Sequence, residues 1–156
     1  MSYRAGIVLV QDGKIALIER YCGGRHYFTF PGGHIDEDET PEQAAVRETE
    51  EELGLQVTLK QLLAQIGWQG KWQYYYLVDI SGGIFGSGCG EEILAPRPAC
   101  GTYHPMWMPV AELLDQPVLP RELAELVFRA VSHSGTGLAM QEVWPEEPVV
   151  IPEAIP

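Results

Sequence analysis

Three glutamates, Glu48, Glu51 and Glu52, stand at positions i, i+3 and i+4. On a helix, 100° per residue places their carboxylates within an arc of about 100° on one face. Such a ridge has two readings. It is a solvated acidic face, where repulsion of roughly 0.2–0.5 kcal/mol per i,i+4 pair is tolerable, or it is a set of hard oxygen ligands for a divalent cation. The surroundings favour the second. Between Asp36 and Glu52 the acids are Asp36, Glu37, Asp38, Glu39, Glu42, Glu48, Glu50, Glu51 and Glu52, and the single base is Arg47. Oxygen donors at this density suit Mg²⁺ or Mn²⁺, which take carboxylates, carbonyls and waters and keep positions open for substrate phosphates. A bound cation also relieves the crowding of negative charge.

Outward from the ridge the chain reads Gly33, five residues, Glu39, seven residues, then Arg47-Glu48-Thr49-Glu50-Glu51-Glu52-Leu53-Gly54-Leu55. This resembles the Nudix box: Gly, five of any, Glu, seven of any, Arg-Glu, an aliphatic, any, Glu-Glu, any, Gly, an aliphatic. Thr49 departs from it, a small hydroxyl residue where an aliphatic one is usual. Seven fixed positions of background frequency near 7% coincide by chance on the order of 10⁻⁸ per window. The resemblance implies Mg²⁺- or Mn²⁺-dependent hydrolysis of the phosphoanhydride bond of a nucleoside diphosphate linked to another group. It implies a catalytic set of Arg47, Glu48, Glu51 and Glu52. Glu51 and Glu52 would be the principal metal ligands, Glu48 a ligand or the general base, and the Gly33 carbonyl a backbone ligand. Arg47 would orient the glutamates by ion pairing, with Glu39 a second-tier member. A further acid from a later loop would be Glu91 or Glu92. The implied fold is α/β, a Nudix-type α/β/α sandwich with a mixed β-sheet.

The elements that must position these residues are legible on either side. AGIVLV (5–10) and KIALIER (14–20) flank Gln11-Asp12-Gly13, a hairpin signal. HYFTF (26–30) reads as a strand ending at Pro31-Gly32-Gly33. Thr40-Pro41-Glu42-Gln43 caps a helix whose buried stripe is Ala45, Thr49 and Leu53, with Gly54 as its left-handed stop. Residues 55–68 and 72–80 read as strands, SGGIFGSGCG after them as a loop, and 102–108 as one more strand. PRELAELVFRAV (120–131) is a second amphipathic helix. The expected division is a hydrolase domain over 1–140 and a Pro- and Glu-rich tail over 141–156, extended or mobile rather than part of the core.

Composition sets the outer limits. The 156 residues, 46% apolar, make one core. A formal charge of −12, from 22 acids against 10 bases, excludes a basic nucleic-acid-binding module and requires polyanions to arrive with metal or find one of the few cations. Cys22, Cys89 and Cys100 form no zinc or disulfide pattern. The apolar N-terminal run is too short to span a membrane, so a cytoplasmic location is expected. Trp68, Trp72, Tyr74, Tyr75, Tyr76, Phe85 and Trp107 read as core or sheet residues rather than a base platform, and His34 as an exposed loop residue. Downstream of the box Gln69-Gly70-Lys71 stands where ADP-ribose types carry a proline, and Tyr74 is only near the offset that marks diadenosine types. This favours a nucleoside triphosphate, with ADP-ribose, a nucleotide sugar or a dinucleoside polyphosphate open. The expected partner is a small nucleotide-derived molecule, with neither duplex nor membrane; a homodimer stays open. The alternative is a catalytically silent nucleotide-sensing module of the same fold.

Overall fold

Asp12 and Gly13 take φ of 52° and 74°, the left-handed pair that a two-residue hairpin turn requires. They join β2 (Val10–Gln11) to β3 (Lys14–Cys22) in the computed structural model, which describes residues 2–88, 101–132 and 141–153. The hairpin is shorter than the apolar pattern predicts. The run ahead of it divides at buried Leu9: β1 (Ser2–Val8) belongs to one sheet and β2 to another.

Beyond β3 come β4 (Arg25–Thr29), β5 (Gly32–His34), α1 (Pro41–Leu53), β6 (Leu55–Trp68), β7 (Lys71–Gly83), β8 (Thr102–Pro109), β9 (Val118–Leu119), α2 (Arg121–Ala130), β10 (Val131–Ser132), β11 (Gln141–Glu142) and β12 (Val149–Ile151). The first sheet has the order β12-β6-β7-β1-β5. It is mixed: β1 runs parallel to β7 and antiparallel to β5, and β12 parallel to β6. The second has β8 along one edge of β3 and β2 and β4 along the other, with β9 outside β4. β7 extends through Gly83, so the first residues of the expected glycine loop are strand.

Two cores hold these layers together. Ala44, Ala45 and Leu53 of α1 pack with Ala5, Ile7, Val57, Tyr76 and Val78 on one face of the first sheet. Val8, Leu63, Ile66 and Leu77 of its other face meet Ile15, Leu17 and Phe28 of the second sheet and Leu123 and Val127 of α2. The α/β layering with mixed sheets matches the expected class. Residues 141–153, expected to lie outside the core, contribute instead: β12 pairs with Ala64–Ile66 of β6, and Trp144 and Ile151 pack against the second core. No helix among the described residues is long and apolar enough to cross a membrane.

Candidate active site

Strand β5 and helix α1 bring Gly33, Glu39, Arg47 and Glu48 to one place. The helix is started by the Thr40–Gln43 box: Gln43 N–H donates to Thr40 Oγ1 at 3.1 Å and Thr40 N–H to Gln43 Oε1 at 3.0 Å. It stops at Gly54, φ 76°, whose N–H donates to Glu50 O. Thr49, buried where an aliphatic residue is usual, donates its hydroxyl to Ala45 O at 2.7 Å. Its polar atom is satisfied within the helix, so the departure costs little. Of the three ridge glutamates, Glu48 is the one that meets β5. A side chain at Gly33 would collide with the Glu48 carboxyl; glycine there is a requirement of close approach.

Arg47 organises the acids. Its Nε donates to Glu39 Oε2 at 2.6 Å, Nη1 to Glu48 Oε1 at 2.9 Å and Glu51 Oε2 at 3.1 Å, and Nη2 to Glu39 Oε1 at 2.8 Å and the His34 carbonyl at 3.0 Å. These use all five N–H donors of a guanidinium. The bidentate pairing with Arg47 holds the Glu39 carboxyl down at about 2, helped by the Asp36 N–H that Glu39 Oε1 accepts, and Glu39 in turn raises Arg47 further. Glu39 is thus the first partner of Arg47, and Asp36, which spacing did not single out, adds a 3.6 Å ion pair.

Glu52 is 6% exposed. It adds to the upward push on Tyr75, whose hydroxyl stands at about 12, mainly through burial, with Arg4 pulling the other way. The three glutamates are hard donors on one ridge, and the glycine seat under Glu48 leaves room for its carboxylate at the β5 edge. This donor chemistry fits Mg²⁺ or Mn²⁺. With Arg47 holding Glu48 and Glu51, no three acids among the described residues converge on one point. Glu91 and Glu92, the expected loop acids, lie outside the described residues, as do Cys89 and Cys100.

The register of β1 and β5 sets where the carbonyls around Gly33, the expected backbone ligand, point. Ile7 N–H donates to Pro31 O, and the register pairs Gly6 with Gly32 and Ala5 with Gly33. Carbonyls alternate in an antiparallel ladder, so Gly33 O turns toward β1, and Gly32 O and His34 O turn to the open edge of the sheet. The aromatics behave as the core reading requires: Tyr75 and Tyr76 are buried, Trp68 packs on one core, and Trp107 packs on the other, 4.9 Å from Phe85. Beside α1 lies an open groove of about 620 Å³, lined by Glu42, Val46, Arg47, Glu50, Glu51 and Leu59 among others. It reaches Arg47 and Glu51 but lies on the flank of the helix away from Glu48 and Glu52.

Comparison with known proteins agrees with this geometry. A model of the NUDIX domain matches residues 2–129. An 8-oxo-dGTP diphosphatase of Proteus vulgaris is 38% identical over 63 residues, 38% of this chain and 54% of that protein. An RNA pyrophosphohydrolase of Aeromonas hydrophila is 49% identical over 51 residues, 32% of this chain and 28% of that protein. The chain thus spans about half or less of the length of these curated relatives. An ADP-ribose pyrophosphatase structure from Streptococcus suis superposes with a TM-score of 0.62 at 21% identity, over 94% of this chain and 96% of that one; this likeness shows the fold. With the NUDIX model covering nearly everything from β1 to the end of α2, the chain belongs to the NUDIX family.

Proposed function

We propose that this protein is a divalent-metal-dependent pyrophosphohydrolase that cleaves a phosphoanhydride bond of a nucleotide derivative, with a nucleoside triphosphate the favoured substrate. The observation that carries the reading is the saturated Arg47 hub, which fixes Glu39, Glu48 and Glu51 beside a glycine whose missing side chain leaves room for the Glu48 carboxylate. Glu48, Glu51 and Glu52 would hold Mg²⁺, which when bound supplies charge neutralisation on the phosphate oxygens and an activated water. The chain's own contribution is positional. Arg47 keeps two of the carboxylates in register without spending a donor on the substrate, and the buried flank of α1 fixes the ridge against the sheet. Glu48, seated over Gly33, would be a further ligand or the general base that takes a proton from the attacking water. The surrounding acids repel a bare polyphosphate, so turnover depends on the cation twice, for approach and for chemistry.

The substrate reading draws on relatives that include 8-oxo-dGTP diphosphatases, named for a nucleoside triphosphate, and RNA pyrophosphohydrolases. The test is a product screen in Mg²⁺ across nucleoside triphosphates, oxidised guanine triphosphates, dinucleoside polyphosphates, ADP-ribose and nucleotide sugars, run beside Glu51→Gln and Glu52→Gln. Each substitution should lower kcat by two or more orders of magnitude, on the order of what loss of one transition-state electrostatic contact costs, with the fold intact by circular dichroism. Wild-type turnover in both variants, or no product from any substrate, would remove the reading.

A further inference from the structure

Arg4 stands on β1 in register with His34 of β5, and its Nη2 donates to Gly32 O at 3.3 Å. Because that carbonyl faces the open edge, the Arg4 side chain crosses β5 to reach it, and the guanidinium comes to rest at the rim of the sheet. Strand β5 is therefore flanked from both faces. Gly33 and the Glu48 carboxyl lie on the α1 face with Ala5 and Ile7, and Arg4, in phase with Val8 along β1, lies on the other.

Arg4 is half-buried, and among the described residues it forms no ion pair; its one hydrogen bond is long and goes to a neutral acceptor. A partly desolvated charge is ordinarily paired, and this chain has 22 acids for 10 bases. A cation left with most of its donors in such a protein is placed for an anion from outside. Arg47 cannot take that role, since its five donors are already committed to Glu39, Glu48, Glu51 and His34 O. We propose that Arg4 binds the phosphate chain of the substrate, gripping non-bridging oxygens from the face of β5 opposite the glutamate ridge. The planar fork suits two phosphate oxygens at once. The inference rests on the pyrophosphohydrolase reading, and it assigns the two arginines beside β5 to different tasks: Arg47 holds the protein's own carboxylates, Arg4 the ligand's charge.

The experiment titrates the full chain with inorganic pyrophosphate in Mg²⁺ by calorimetry, for wild type, Arg4→Met and Arg4→Lys, and in parallel measures Mn²⁺ binding and steady-state kinetics. Arg4→Met should weaken pyrophosphate binding and raise KM about tenfold or more, the loss expected for a charge-assisted hydrogen bond, with kcat changed less and Mn²⁺ affinity unchanged. Arg4→Lys, which keeps the charge without the fork, should recover part of the loss and serves as the folded comparison if the methionine variant is unstable. Equal pyrophosphate affinity and KM in wild type and Arg4→Met would overturn the proposal. So would a loss of Mn²⁺ affinity matching the loss of pyrophosphate binding, because Arg4 would then merely hold β5 in place. If the wild type hydrolyses no nucleotide in Mg²⁺, the parent reading fails by itself, and the pyrophosphate titration still decides the fate of Arg4.

Discussion

Arg47 and Glu39 are the strongest pair at the site, and their coupling sets how the protein responds to acid. Glu39 is held at about 2 by the Arg47 guanidinium, below the ordinary 4.5. A carboxylate depressed on folding stabilises the native state above its unfolded value, and that contribution is lost as pH falls through the folded one. Wild type should therefore lose stability between pH about 4.5 and about 2 through this residue. Glu39→Gln should be less stable at neutral pH and show no loss from this source in the acid range. Urea midpoints of the two proteins across that window provide the check; a gap between them that stays constant down to pH 2 would trace the difference to packing instead. Arg47→Lys retains charge but presents three donors where five are used. It should lower kcat about tenfold to a hundredfold, as loss of a positioning partner does at metal sites, and a wild-type kcat in this variant would demote the hub to a surface ion pair.

At the scale of elements, the site is a contact between one helix and one short strand. Gly33→Ala tests that contact. Its new methyl would meet the far end of the Glu48 side chain rather than backbone, so the carboxylate can swing away at small cost in stability but at large cost in geometry. The melting temperature should change little while kcat falls by an order of magnitude or more; an active Gly33→Ala protein would contradict the seat assigned to Glu48. Thr40→Ala removes a helix cap and should cost about 1 kcal/mol in chemical denaturation. These features were legible in the sequence because each is local. The cap, the buried stripe, the left-handed stop and the glutamate ridge all lie within one helix and its ends. Strand pairing leaves no such mark. Nothing in the residues of β1 and β5 states which carbonyl faces outward; that follows from the phase of a ladder that Ile7 and Pro31 set. Arg4 carried no motif and emerged only when register placed it beside Gly32. Spacing had brought Glu39 no further than the second tier, because its grip on Arg47 depends on a loop conformation that sequence separation does not encode.

At the scale of the molecule, the order of the first sheet separates chemistry from support. Strand β5, with the site, is one edge, and β12, from the C-terminal segment, is the other. The Val149-Val150-Ile151 triplet is β-branched and was masked as a strand signal by the prolines and glutamates around it. Its docking has several anchors: Gln61 Nε2 donates to Pro145 O at 2.6 Å, Gln69 N–H to Glu153 Oε1 at 3.2 Å, and Gly67 leaves space for the Pro152 carbonyl. Trp144 and Ile151 add apolar contact with the core. Deleting residues 141–156 should cost about 2–4 kcal/mol, the order of two partly buried large side chains and their associated hydrogen bonds. It would also uncover the Ala64–Ile66 edge of β6, an open strand prone to pair with other chains. The truncated protein should therefore show a lower urea midpoint and concentration-dependent light scattering, yet keep its kcat at temperatures where it is still folded, because neither Glu48 nor Arg47 lies on that edge. An unchanged midpoint would mean the segment rests on the sheet without supporting it. A collapse of kcat in the folded truncated protein would show that the far edge of the sheet reaches the site after all, through the rigidity of β6 and β7 between them.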